Sequence, residues 1–117
     1  MHPGALLATT HDAGGLRVKL RMARPSDALR VRGLLERRRP ALAGQARRFT
    51  FYDPRERVVL AATAPIGGRE EIVGLAALDV GERQPLVVVD EHGPSPKVAE
   101  LLAAAATALG ARVRSAG

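Results

Sequence analysis

VVVDEHGPSPKVAELL, residues 87 to 102, passes from an apolar run through a turn into a helix, and the reading of that unit decides the fold. Leu86-Val87-Val88-Val89 is short, apolar and β-branched, the pattern of a central strand buried on both faces. Ser95-Pro96 signals a helix start, with serine as N-cap and proline at the first helical position. Val98, Leu101, Leu102, Ala105 and Leu109 then recur at helical spacing, and Gly110 reads as the stop. Ala111-Arg112-Val113-Arg114 reads as the beginning of one more strand. Unpaired N–H groups and the positive end of the helix dipole make such a strand-to-helix junction attractive to anions. Pro94 and Pro96, however, have no N–H to donate.

Upstream, Leu16-Arg17-Val18-Lys19-Leu20-Arg21-Met22 alternates apolar and basic residues with period two, the clearest strand in the sequence. Pro25-Ser26-Asp27 ends it, and Ser26 or Asp27 caps a helix whose stripe is Leu29, Val31, Leu34 and Leu35. That helix stops near Arg37 to Arg39, before Pro40. Residues 41–48 suggest a short helix, and Phe49-Thr50-Phe51-Tyr52 gathers all the aromatic residues as core or groove lining. Arg57 to Thr63 and Glu71 to Asp79 flank Pro65-Ile66-Gly67-Gly68, which predicts an antiparallel hairpin with a loop longer than two residues. Gly74 inside the second run marks a bulge or a close backbone approach. The order is β-α-(short helix)-β-β-β-α, without an internal repeat.

The whole chain of 117 residues fits one domain, large enough to bury roughly two-thirds of its unfolded surface. Its core must come from Val, Leu and Ala, because there are two Phe, one Tyr and no Trp. Without cysteine, disulfides, thiolate metal ligands and a cysteine nucleophile are excluded. Residues 1–15 read as a flexible tail and residues 16–117 as the domain. The opening MHPGALLATTHDAGG has no Lys or Arg before a short Ala-Leu stretch, far below the roughly 18 apolar residues of a membrane span. The expectation is therefore a cytoplasmic protein without a membrane partner.

The net charge of +6 is uneven: residues 1–57 carry 13 basic and 5 acidic side chains, whereas residues 58–117 carry 5 and 7. A basic half invites a nucleic-acid-binding reading, but net charge speaks to non-specific association rather than to fold. Lysine occurs only as Lys19 and Lys97, and the rest of the excess is arginine. The triplet Arg37-Arg38-Arg39 is open to a phosphate or RNA patch. Cations in the last turn of a helix also meet its dipole favourably, and that reading is preferred.

The order of elements and several of their words together resemble the GNAT family of N-acetyltransferases. Arg24-Pro25-Ser26-Asp27-Ala28 is similar to the end of that family's first strand and the start of its first helix. Val58-Val59-Leu60-Ala61-Ala62 and Glu71-Ile72-Val73-Gly74-Leu75-Ala76 resemble its second and third strands. Leu86 to Asp90, a turn and a helix with Leu101-Leu102 resemble its acyl-CoA-binding segment. The resemblance spans residues 16–114 and implies an α+β fold, a mixed and mainly antiparallel sheet flanked by helices.

The resemblance further implies acetyl-CoA as co-substrate. The pantetheine would pair with backbone near Val88 and Val89, and the pyrophosphate would lie on the turn and helix start, at His92, Gly93, Ser95, Lys97 and Val98. The family turn carries an Arg or Gln and spaced glycines, where this sequence has His92-Gly93-Pro94-Ser95-Pro96-Lys97. The family also continues with a strand, a helix and a strand, and often places there a Tyr that protonates the leaving thiolate. The expected domain is thus a degenerate or C-terminally truncated member, incomplete at its end. It is either an N-acetyltransferase acting on an amine-bearing small molecule or protein, or an inactive regulatory or dimerisation module whose sheet edge a partner chain completes.

No catalytic residue follows from the pattern itself. Glu70 and Glu71 are adjacent and face opposite sides of a strand. Asp79, Glu82 and Asp90 lie near strand ends, where a base for an amine would sit, but such acids are commonly turn residues. His2, His11 and His92 are too scattered for a metal site. A phosphate-loop lysine motif, a dinucleotide glycine fingerprint and a nucleophile elbow are all lacking.

Overall fold

The alternating segment forms a strand, and its partners place it in a five-stranded sheet. The computed structural model describes residues 10–90 and 95–116, with the side chains of Ser95 and Ala116 outside that description. Five strands follow one another: β1 (Thr10–Ala13), β2 (Leu16–Met22), β3 (Arg57–Ile66), β4 (Arg69–Asp79) and β5 (Leu86–Val89). Their order in the sheet is their order in sequence, and every pairing is antiparallel. A single turn of 3-10 helix, Pro25–Asp27, leads into α1 (Ala28–Arg38), and a longer 3-10 segment runs from Pro40 to Phe49. The last element is α2 (Ser95–Ala116).

The sheet divides the core into two layers. On one face α2 lays Val98, Leu102, Ala105 and Ala106 against Val18, Leu20, Val58, Leu60, Val73 and Ala76. On the other face α1 and the 3-10 segment bring Val31, Leu34, Leu35 and Phe49 against Val59, Ala61, Leu75 and Val88. Both layers use the two-residue alternation of strand side chains. Small residues in β3 and β4, such as Ala61, Ala62 and Ala76, let the helices sit close to the sheet.

Several local expectations are corrected. Thr10–Ala13, placed in the tail by sequence, pairs with β2 through Thr10↔Lys19 to Ala13↔Leu16. The β3–β4 loop is the two-residue minimum, because β3 extends through Pro65 and Ile66 to Gly67-Gly68, both with positive φ (59° and 79°). Two such residues in succession match the twist of a tight hairpin, and glycine adopts them without a Cβ penalty. Pro65 is tolerated there because the β2 pairing reaches only to Thr63. Leu29, assigned to the core stripe, is 85% exposed. The Leu86–Val89 run, expected to be central, lies at the end of the described sheet order.

Gly110 does not stop α2, and residues 111–114 continue the helix instead of starting a strand. A Cβ at Gly110 would lie 2.7 Å from Leu78 Cδ2, so this glycine permits a close approach of helix to sheet. Gly74 has both properties expected of it. The β3–β4 register runs Ala62↔Gly74 and then Thr63↔Ile72, leaving Val73 as the extra residue of a bulge. A Cβ at Gly74 would lie 2.7 Å from Leu102 Cδ1 and 3.2 Å from Cγ1 of both Val89 and Val98.

A buried ion pair locks the end of β2 to the start of α1. The Arg21 guanidinium donates to both Asp27 oxygens at 2.7 and 2.8 Å, and the Arg24 N–H donates to Asp27 Oδ2 at 2.7 Å. Asp27 therefore faces back toward β2 and makes no side-chain bond to the N-terminus of α1. The hydrogen bonds from Arg21 hold the Asp27 carboxyl below its ordinary range, against the opposing effect of burial. Nearby, the Tyr52 hydroxyl reaches the carbonyl oxygens of Ala23 (2.9 Å) and Val59 (3.2 Å), and burial raises its pKa.

Two stability measurements check this account. Gly74→Val should cost about 1–3 kcal/mol in urea unfolding, the range for overpacking a filled site; Gly44→Ala, whose Cβ would meet nothing within 4 Å, should not destabilise. Asp27→Asn should cost about 1.5–3 kcal/mol at pH 7, as expected for hydrogen bonds to charged groups. Because the folded pKa of Asp27 is depressed, its contribution is complete above the unfolded carboxylate value near pH 4 and declines as pH falls below it. The gap between the two proteins should therefore narrow toward pH 2.

Candidate functional site

Strand β5 pairs with β4 on one side and forms the end of the described sheet on the other. Which backbone groups face outward follows from the ladder. The Asp90 N–H donates to the Val73 carbonyl at 2.8 Å, and Leu75↔Val88 and Ala77↔Leu86 stand in the same phase. In an antiparallel ladder alternate residues turn their peptide groups to opposite sides. Leu86 and Val88 therefore face β4, while Val87 and Val89 direct their N–H and C=O groups to the outer edge. Of the two residues expected to offer backbone to a pantetheine, Val89 lies on that edge, whereas the peptide groups of Val88 are turned to β4.

The C-terminal end of this edge is flanked by both helices. On one face the first turn of α2 lies over Gly74, where Val98 and Val89 approach the same glycine. Val98 is thus a core residue by its side chain, and Lys97 beside it is exposed. The first four positions of a helix have N–H groups without intrahelical partners, and here they are Ser95, Pro96, Lys97 and Val98, of which proline has none to give. His92 and Gly93 lie outside the described residues.

From the other face comes the end of α1. Arg37 donates to Asp90 Oδ2 at 2.7 Å, and Arg38 Nε donates to the Val89 carbonyl at 3.0 Å. The Asp90 side chain is 8% exposed and that of Arg37 53%. The pair therefore ties a buried carboxylate at the end of β5 to a half-exposed guanidinium on α1. The Arg37-Arg38-Arg39 triplet was visible in the sequence, but its partners stand 51 and 53 residues away, where no local pattern points.

At the opposite end of β5, Pro85 and Leu86 open onto a cavity of about 380 Å³. Its floor is apolar, from Leu42, Phe49, Ala77 and Leu86, and its wall is polar, from Gln45, Arg48, Arg57, Asp79, Glu82 and Gln84. Four of these residues are engaged with one another: Arg57 Nε donates to Asp79 Oδ1 at 2.5 Å, Arg57 also donates to the Arg48 carbonyl at 3.1 Å, and Arg48 donates to Gln45 Oε1 at 3.2 Å. Glu82 is exposed, held near the cavity by the bond from its N–H to the Asp79 carbonyl at 3.0 Å. Leu86 to Val89 spans roughly 10 Å at the usual strand rise, so cavity and helix start lie one short strand apart.

Among the described residues the other acids do not assemble into a site. Asp90 is held by Arg37, Asp79 by Arg57 and Asp27 by Arg21. Glu70 Oε1 stands 3.9 Å from Arg21 Nε, an atom buried without a hydrogen-bond partner. Among the described residues there is no group of three or more His, Asp and Glu able to hold a metal ion. In the same residues no helix is long and apolar enough to cross a membrane.

No protein-family model and no curated protein matches the sequence. Among solved structures, the chain is similar to the GNAT domain of S. lividans PAT, with a TM-score of 0.59 and 23% sequence identity. The similarity covers 84% of this chain and 70% of that one. The fold is accordingly GNAT-like: a five-stranded antiparallel sheet with helices on both faces, in agreement with the fold expected from the sequence.

Proposed function

We propose that this GNAT-like domain binds an acyl-CoA along the outer edge of β5 and transfers the acyl group to an amine held in the cavity beside Leu86. The observation that carries the reading is the placement of two features on one strand edge. The start of α2 flanks one end, and the 380 Å³ cavity opens at the other. The volume lies in the range of small-molecule sites.

The donors present suit the expected group. Val87 and Val89 offer the N–H and C=O groups that a chain of two amides requires. The N–H groups of Ser95, Lys97 and Val98, with the Lys97 ammonium, offer an anion-favouring helix start despite Pro96. With the phosphates at this end, the thioester extends toward Leu86 and the cavity. The outward N–H of Val87 is then the donor placed to polarise the thioester carbonyl.

The reaction consumes a neutral amine. Its nitrogen attacks the carbonyl carbon, the C–N bond forms and the C–S bond breaks; the nitrogen loses one proton and the departing thiolate gains one. Glu82 is the carboxylate fitted to accept the first proton, since Asp79 and Asp90 are committed to arginines. Tyr52 is unsuited to the second, because its hydroxyl is directed to the Ala23 and Val59 carbonyls. Water supplies that proton, so positioning contributes most of the rate.

Isothermal titration with acetyl-CoA, followed by thiol release in the presence of a panel of small amines, tests the reading. Saturable binding and amine-dependent release are expected. Glu82→Gln should lower kcat by about 100-fold, the lower bound for general base catalysis, with acetyl-CoA affinity unchanged. No heat at millimolar acetyl-CoA would overturn the proposal and favour a binding module without turnover.

A further inference from the structure

The basic residues of β2 have no part in the acyl-CoA reading, yet the sheet gathers them around a second cavity. Arg17 and Lys19 stand two residues apart, on the face of the sheet opposite Val18 and Leu20. With Thr10, Thr63, Pro65 and Glu70 they line a cavity of about 310 Å³. We propose that this cavity binds a small phosphate monoester, with Arg17 and Lys19 holding the phosphate. The inference does not depend on the acyl-CoA reading, because β2 and β5 are three strand spacings apart, roughly 14 Å.

Three observations support it. First, this end of the sheet face is accessible. On the same face α1 packs chiefly on β4 and β5, and Thr10, Arg17 and Lys19 are exposed. Second, among the described residues neither the Arg17 guanidinium nor the Lys19 ammonium makes a hydrogen bond or an ion pair, whereas Arg21, next on that face, is fastened to Asp27. Two like charges side by side repel, and a bound anion removes that repulsion. Third, the acids of this face are engaged elsewhere. Asp12, opposite Arg17 on β1, accepts from the Gly15 N–H at 2.7 Å. Glu70 stands 3.9 Å from Arg21 Nε, which is buried without a hydrogen-bond partner.

The donors select the anion. A phosphate monoester has three terminal oxygens: the planar fork of Arg17 takes two, the point charge of Lys19 takes the third, and the Thr10 hydroxyl adds a further donor. A carboxylate has only two oxygens, which the guanidinium alone would satisfy. The rest of the ligand lies over Pro65 and the buried Thr63, toward Glu70. That carboxylate repels a second anionic group and accepts instead from a hydroxyl or an amine. Asp12 and Glu70 likewise disfavour a polyanion laid across the strands, such as a nucleic acid, whose binding depends on neutralising successive phosphates. The volume suits a small molecule.

The test is an NMR titration of the isotope-labelled chain with glycerol phosphate, and with glycerol as the neutral control, at constant ionic strength. Saturable shifts centred on the amides of Thr10, Arg17, Lys19 and Thr63 are expected with glycerol phosphate and none with glycerol. Arg17→Gln and Lys19→Gln should each weaken binding about 10-fold, the scale of one charge-assisted contact. Both side chains are exposed, and if one variant does not fold the other carries the comparison. Arg30→Gln, which removes the same charge from an exposed position on α1, should leave the affinity unchanged. Shifts that do not saturate at tens of millimolar ligand, or equal weakening in all three variants, would reduce the effect to non-specific charge and overturn the inference. Displacement of glycerol phosphate by acetyl-CoA would overturn it as a separate site. Failure of the protein to bind acetyl-CoA refutes the acyl-CoA reading alone and leaves this comparison intact.

Discussion

At Gly74 the sheet has no side chain, and the first two turns of α2 occupy the space. Val98 and Leu102 lie against that backbone beside Val89, and a Cβ there would stand 2.7 Å from Leu102 Cδ1, closer than side chains pack. The approach fixes the height of α2 above β4 and β5, and the second close approach, Gly110 over Leu78, holds the far end of the helix in the same plane. With α2 set by these two glycines, its N-terminus can only emerge beside the end of β5. The bulge at Val73 lies in the same place and turns the ladder where β5 ends.

Arginine does most of the polar fastening around this core. Arg21, Arg37 and Arg57 each join elements distant in sequence: β2 to the start of α1, α1 to the end of β5, and β3 to the end of β4. The basic first half of the chain and the more acidic second half meet in two of these pairs, Arg37 with Asp90 and Arg57 with Asp79. Two arginines of the basic half therefore have a structural use across the halves. Arg38 donates to the Val89 carbonyl on the outer side of β5, one of the two edge strands of the described sheet.

What the sequence made legible was whatever depends on short-range pattern. Period two from Leu16 to Met22, the spacing of Val98, Leu102 and Ala105, and the break at Pro40 each correspond to an observed element or its end. Gly110 was misread because glycine serves equally as a helix stop and as a place of close approach, and only the neighbour, Leu78, distinguishes the two. The run Leu86–Val89 was read as central because it is short, apolar and β-branched, but an apolar run says nothing about whether both edges are paired. The same limit applies to Val88 and Val89. Their apolar character was plain, whereas which one turns its peptide groups outward depends on register with β4.

The central claim is that the outer edge of β5 receives an acyl-CoA, with Val87 and Val89 as the pairing residues. Amide hydrogen exchange followed residue by residue by NMR, with and without saturating acetyl-CoA, tests it most directly. The account predicts that the Val87 and Val89 amides exchange more slowly when ligand is added, while Val88, already turned to β4, is unchanged. Unaltered exchange at both Val87 and Val89 under saturating ligand would contradict it.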